Sequence, residues 1–376
     1  MAIHKVNTCV VVLLLSTALG ACTADTDRRA APSTQGTVPG TINTACAATS
    51  ATPASTDIAT LKVGVMPIAD SAAFYIAMKK GYFAKERLNV EPVTVQGGGP
   101  AIGMMKGGQL QASIVNYVTA FIAEGRAPGS VTVIAPAYQG APGAFKLMTK
   151  ANSPIHRLAD LAETKTKVIV ATLHSVGTLT TQVALKAEGV SDSRVAFAEV
   201  ALPDMALNLE RGLADAAWMT EPFITEWRDN GGRELYDVVM AGEAALLPIA
   251  GWAVTADYAR EHSDIVQRLQ RALLCGQQDA AANRAEVTEV MRTYTKIKPG
   301  VLPRIALGRF PAELNAEALQ HLAALVHSYE KLDKPVDVSS MLAPAPPSAT
   351  STPTSSAPTT SPVSATPSPS PTPGRS

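Results

Sequence analysis

Between Leu61 and Val254 the chain switches repeatedly between short β-branched runs and stretches of helical periodicity, and that alternation restricts the fold more than any other feature. Leu61-Lys62-Val63-Gly64-Val65-Met66 reads as a strand stopped by Pro67. Ala72 to Lys80 then sets Phe74, Ala77 and Met78 on one helical face, with Gly81 as the closing C′ residue. Strands are expected over Val90 to Gln96, Gln111 to Val115 and Val131 to Ala135. A helix begins after Gly97-Gly98-Gly99, with Pro100 in its first turn, and another runs from about Val118 to Glu124. The pattern restarts with strands at Val168 to Ala171, Val195 to Val200 and Ala216 to Met219. Helices at Gly177 to Lys186 and Met205 to Arg211 separate them. After Trp252-Ala253-Val254 the chain is mainly helical from about Ser263 to Tyr329, with breaks near Pro299, Pro303 and Pro311. Such alternation predicts an α/β fold with parallel sheets and right-handed crossovers, in two lobes, the first completed by the C-terminal helices.

The flanks read differently. Met1 to Ala21 has a single Lys, an apolar run from Val10 to Leu15 and small residues before Cys22. The run is too short to span a bilayer as a helix and fits a secretory leader. Leu19-Gly20-Ala21-Cys22 resembles a bacterial lipobox, which implies cleavage before Cys22 and lipidation of its thiol, palmitate included. Residues 22–58 and 343–376 are dominated by Ala, Thr, Ser and Pro. They hold too little apolar surface to offset chain entropy, so a disordered linker and a disordered Ser/Thr/Pro-rich stalk are expected. The globular part divides into lobe I, residues 59–146 and 251–342, and lobe II, residues 147–250.

Lys plus Arg and Asp plus Glu both number 32, and no basic stripe interleaves with aromatics, which argues against nucleic acid as a partner. Of the four cysteines, Cys9 leaves with the leader and Cys22 takes lipid. Cys46 and Cys275 remain as a disulfide candidate in an oxidising exterior, the alternative being two unpaired thiols. No Cys or His cluster has metal-ligand spacing, which excludes a structural zinc site, and no cofactor is called for.

Several segments resemble solute-binding proteins of ABC importers. These are Val65-Met66-Pro67-Ile68-Ala69-Asp70-Ser71, Phe74-Tyr75-Ile76-Ala77 and Gly81-Tyr82-Phe83-Ala84-Lys85-Glu86-Arg87-Leu88-Asn89-Val90-Glu91. Lys106-Gly107-Gly108-Gln109-Leu110-Gln111-Ala112-Ser113 and Glu210-Arg211-Gly212-Leu213-Ala214-Asp215-Ala216-Ala217-Trp218, running into Thr220-Glu221-Pro222-Phe223, continue the match. The group is that of sulfonate, nitrate and thiamine-pyrimidine-precursor binding, similar also to the domain of thiamine-precursor synthases. It implies a periplasmic-binding-protein type II fold, two lobes hinged about an interlobe cleft, delivering solute to a permease and its ATPase. A monomer tethered to the outer membrane face by its lipid is expected. Arg87 departs from the resemblance, standing where the family usually has Gly.

In open α/β sheets ligands bind beyond the carboxyl ends of the strands. Asp70 and Ser71 follow the first strand and are either N-caps or ligand contacts. Gly97-Gly98-Gly99 opens a helix N-terminus to an oxyanion or is a tight turn. Asn116 offers an amide, and Tyr117 either an aromatic face or a core side chain. His174 and Ser175 open a second-lobe helix, one facing the cleft and the other capping. Trp218 is expected to stack on a planar solute and Glu221 to accept hydrogen bonds from its amino groups, against a core Trp and a capping acid. The loops hold Asp70, Asp204 and Glu221 but no Lys or Arg, which leans toward a neutral or amine-bearing planar solute such as a pyrimidine. An enzyme like the thiamine-precursor synthases is disfavoured by export and by the absence of their cysteine-dense stretch. A surface interaction protein without transport is the remaining alternative.

Overall fold

The computed structural model describes Cys46, residues 57–163 and residues 165–346. The leader, the lipobox with Cys22, the linker apart from Cys46, Asp57 and Ile58, and the tail from 347 onward lie outside the described residues, as does Thr164.

Among the described residues, ten strands form two five-stranded sheets. In the first, β1 (Ala59–Val65), β2 (Leu88–Thr94), β3 (Ala112–Asn116), β4 (Thr132–Gln139) and β10 (Pro248–Val254) are ordered β2-β1-β3-β10-β4. In the second, β5 (Phe145–Thr149), β6 (Thr166–Val170), β7 (Val195–Glu199), β8 (Ala216–Thr220) and β9 (Arg233–Asp237) are ordered β7-β6-β8-β5-β9. The chain crosses between sheets twice, over residues 140–144 and 238–247. Two α/β lobes, each with its own sheet, are the result.

The expectation of parallel sheets needs correction, because both are mixed. β1 runs parallel to β2 and β3, and β6 to β7 and β8. β10 is antiparallel to β3 and β4, and β5 to β8 and β9. The physical reason lies in the crossings. A strand entering directly from the other lobe has no helix to carry it round, so it runs back along its neighbour.

Helices cover both faces of the first sheet. On one side α1 (Ala72–Lys79) packs against a long C-terminal helix. On the other lie α2 (Gly98–Lys106) and α3 (Tyr117–Arg126). The strand pleat sorts the core accordingly. Trp252 and Val254 of β10 join Phe74 on the α1 side, whereas Ala253 joins Tyr117 and Phe121 on the α3 side. Phe74 and Trp252 stack with centroids 5.2 Å apart. In the second lobe Ala216 and Trp218 face α4 (Val176–Ala187). Ala217 and Met219 turn to α5 (Met205–Glu210) and α6 (Phe223–Asp229).

After β10 the chain returns to the first lobe as α7 (Ser263–Ala282), α8 (Arg284–Tyr294) and α9 (Ala316–Glu330). Asparagines start three of the helices. Asn116, Asn283 and Asn315 each accept at Oδ1 from a backbone N–H three residues on, satisfying one orphan donor apiece. Cys46 and Cys275 are joined by a disulfide that fastens Cys46 to α7, with Cα atoms 5.5 Å apart. Among the described residues, no helix is long and apolar enough to cross a membrane, and no His, Cys, Asp and Glu group could hold a metal ion.

Candidate functional site

The carboxyl ends of the parallel strands in both sheets converge on a cavity between the lobes. The first lobe contributes the loop after β1, Gly97 after β2, Asn116 at the end of β3 and Ile249-Ala250 of β10. The second contributes Ala171, Thr172 and Ser175 after β6, Leu202 after β7, Trp218 and Thr220 of β8, and Phe145 of β5. The wall is mostly apolar. Among the described residues that line it, Asp70 is the one charged group.

Asp70 sits in a short turn ahead of α1 that is buried throughout. Its residue is 4% exposed and its Oδ1 has no hydrogen-bond partner among the described residues. Burial, opposed only by a bond from its own backbone N–H, pushes its carboxyl up to about 7. Ser71, its neighbour, turns away from the cavity: its Oγ accepts from the Met66 N–H at 3.1 Å and closes the loop on itself. Asn116 spends Oδ1 on the cap of α3, at 2.9 Å from the Thr119 nitrogen, so its Nδ2 end is the part left for the cavity. Ser175 is held by donating to the Thr172 carbonyl at 2.6 Å.

Trp218 projects from β8 into the cavity wall. Its ring stacks on Phe145, centroids 5.4 Å apart and planes at 28°, and its indole N–H donates to Thr180 Oγ1 at 3.1 Å. Gly177 lets α4 approach that ring: a Cβ there would lie 3.1 Å from Trp218 Cδ2. The aromatic wall is therefore rigid before any ligand arrives.

Besides Ser71, three more of the anticipated contacts lie elsewhere. Tyr117 is a core residue, stacked near Phe121 and pressed against Gly251 of β10, where a Cβ would fall 2.6 Å from its hydroxyl. His174 takes a left-handed backbone, φ 52°, that swings its ring outward, where Nδ1 meets Glu330 Oε2 at 2.6 Å. Glu221 is buried but committed. Its Oε1 accepts from the Thr225 hydroxyl at 2.7 Å and from the Ala306 N–H at 3.0 Å, and Oε2 accepts from the Thr225 N–H at 3.1 Å. Burial raises its carboxyl and these bonds hold the rise in check. Its task is to tie β8 to the segment after α8 rather than to face the cavity.

Sequence reasoning brought Asp70, Asn116, Ser175 and Trp218 to one place and missed Phe145, Ile249 and Ala250. Those three sit on the crossing strands, which carry no polar signal and no helix-forming punctuation. Gly97 lines the cavity, while Gly98 opens α2 against Asn116 and Thr119.

A family profile described as "NMT1/THI5 like" matches residues 68–287, more than half of the chain. The fold is similar to that of the alkanesulfonate-binding protein of Xanthomonas axonopodis pv. citri bound to MOPS, at 15% identity and TM-score 0.65, covering 77% of this chain and 99% of that one. The periplasmic nitrate-binding protein of Synechocystis PCC 6803 matches at 17% identity and TM-score 0.57, covering 65% and 69%. A desulfurization enzyme, DSZB, matches at 18% identity and TM-score 0.55, covering 76% and 96%. No curated protein matches the chain by sequence.

Proposed function

The chain belongs to the NMT1/THI5-like family, and from that premise we propose that it is an exported, lipid-anchored solute-binding protein. It hands a small organic solute to an ABC permease and its ATPase. One observation carries the reading. Both lobes wall a cavity at the carboxyl ends of both sheets, so a solute seated there touches each lobe and favours their closure on one another. The two solute-binding proteins matched above support a role of this kind, as does the sequence ahead of the fold, where Leu19-Gly20-Ala21-Cys22 would tether the receptor to the extracytoplasmic face of the cell membrane.

The match to a desulfurization enzyme favours a second reading, catalysis on the same scaffold. Among the described residues lining the cavity no Cys, His or Lys stands beside Asp70 to complete a nucleophile–base pair, which weighs toward binding without turnover. The test is a thermal-shift screen of the full chain in detergent, followed by calorimetric titration of each solute that raises the melting temperature. A receptor returns the solute unchanged; its chemical conversion would establish the enzyme instead. Anchoring is tested separately: Cys22→Ala should free the protein into the medium or leave an uncut precursor, and unchanged membrane retention with normal processing would refute it.

A further inference from the structure

The electrostatics of the cavity permit a narrower statement about what enters it. Among the described residues, no cation pairs with Asp70. No Lys, Arg or His lines the cavity among the described residues. The titratable groups that feel Asp70 are Tyr138 on β4 and Tyr294 on α8, both neutral near pH 7, with Tyr75 of α1 stacked on Tyr294 at 4.0 Å. The Tyr294 hydroxyl donates to the Ile68 carbonyl at 3.0 Å, and the Tyr138 hydroxyl accepts from the Gly308 N–H. Beyond Tyr138 stand Glu221, committed to Thr225 and Ala306, and Arg284, whose guanidinium donates to the Ile305 carbonyl. A buried carboxylate with an unpartnered oxygen and no cation is costly, so in the empty cleft the group holds its proton up to about pH 7.

We propose that the cleft takes a cation: a small organic solute with an aromatic or apolar body and one basic nitrogen, an ammonium or amidinium, whose charge Asp70 meets, its entry displacing one proton from that carboxyl to solvent. The inference rests on the solute-binding reading and sharpens its substrate class. Asp70 supplies the charge, the Asn116 amide and Ser175 orient polar edges, and the Trp218 and Phe145 rings line the wall with apolar aromatic surface for the solute's body. A sulfonate or nitrate would find a carboxyl and no cation. A neutral solute would leave the proton where it is. The protons balance: the acid form of Asp70 plus the protonated solute give an ion pair and one released proton. Burial that lifts the carboxyl to about 7 places this exchange in the physiological range.

Three probes with one ring body separate the cases: benzylammonium, benzyl alcohol and benzenesulfonate, titrated calorimetrically into the full chain in detergent. Benzylammonium should bind tightest, and roughly tenfold more tightly at pH 8 than at pH 6, because at pH 6 binding must first remove the proton. In weakly buffered solution with an indicator dye, proton release should approach one per ligand at pH 6 and nearly vanish at pH 8. Asp70→Asn should cost benzylammonium at least tenfold in affinity and abolish the release. The wild-type pH profile stands even if that variant folds poorly. Benzyl alcohol or benzenesulfonate binding as tightly as benzylammonium, or a cation affinity indifferent to pH, would overturn the cation assignment and leave the solute-binding reading intact. If no probe binds, the assignment falls; if the wider solute screen is also empty, the receptor reading falls with it.

Discussion

An L-residue pays about 1–2 kcal/mol to sit in the left-handed region, and Arg87 sits there with φ 54°. The position joins the turn after Gly81 to β2, where the resemblance expects Gly, so the departure noted in the sequence has a backbone counterpart. Comparing Arg87→Gly with Arg87→Ala cancels the loss of the side chain's own interactions. The Gly variant should be the more stable of the two by about 1 kcal/mol in urea denaturation. Equal midpoints would show that the turn relaxes at no cost. Asp70 gives a second prediction at this scale. Its carboxyl titrates near 3.8 unfolded and at about 7 in the empty fold. A raised acid contributes stability that is full below the unfolded value and is lost as pH rises through the folded one. The loss, on the order of 4 kcal/mol, falls between about pH 4 and pH 7. Asn carries no such charge. The melting temperature of Asp70→Asn relative to wild type should therefore climb from pH 5 to pH 8 in ligand-free protein, and a constant difference would contradict a buried titrating carboxyl. Strand-end position together with the family resemblance pointed to Asp70, Asn116, Ser175 and Trp218, because the end of a parallel strand directs its side chains at the cleft. They did not locate the true environments of Tyr117, His174 and Glu221. Rotations of one residue at a helix start, such as the positive φ of His174, decide those cases and leave no mark on spacing.

At the scale of elements, α7 shows how a helix that reads as ordinary amphipathic sequence holds the first lobe together. Gln270 and Gln277, two turns apart on one face, are buried. Gln270 Nε2 donates to the Ile134 carbonyl at 2.8 Å and Gln277 Nε2 to the Ala137 carbonyl at 2.8 Å, so both grip β4. The same two amides reach the Pro344 and Pro311 carbonyls at 3.1 Å, binding irregular C-terminal segments to the sheet. Gly276 between them lets α7 press directly on α1, because a Cβ there would run into the Ala73 carbonyl oxygen and lie 3.0 Å from Ala77 Cβ. Gly276→Ala gains helix propensity yet should destabilise by about 1–3 kcal/mol, since the obstacle is backbone and cannot rotate away. A denaturation midpoint equal to or above wild type would mean that the two helices slide apart freely. The helices and parallel strands were legible from periodicity, with boundaries shifted by one to four residues. β5 and β9 were not. β5 is only five residues long and follows a Gly-rich crossing, and β9, Arg-Glu-Leu-Tyr-Asp, is a half-exposed edge strand whose charged residues mask any alternation.

For the whole molecule, the two-lobed plan was readable because the strand–helix pattern restarts after residue 150. The antiparallel strands at the crossings were not, since direction within a sheet is set by where the chain comes from rather than by what it is made of. The lobes meet at several separate places. At the mouth, His174 of the second lobe meets Glu330 at the end of α9. On the crossing side, Arg304 Nη1 donates to Asp229 Oδ1 at 2.8 Å, alongside the Glu221 tie to Ala306. Between these the backbone of Gly97 lies against Thr172, and a Cβ on Gly97 would fall 2.7 Å from Thr172 Cγ2. Gly97 has φ 171°, an extended backbone that alanine adopts without strain, so Gly97→Ala leaves each lobe's own fold untouched and acts only as a wedge between them. If solute binding requires the lobes to close as they are here, that wedge opposes closure by about 1–3 kcal/mol, a loss of roughly 5- to 150-fold in affinity. Small-angle scattering should record a larger radius of gyration for Gly97→Ala, and titration a weaker solute affinity with an unchanged melting temperature in the empty protein. Adding Thr172→Ser deletes the offending methyl and should restore both readings. Scattering and affinity identical to wild type would mean that the cleft takes its solute without bringing Gly97 and Thr172 together.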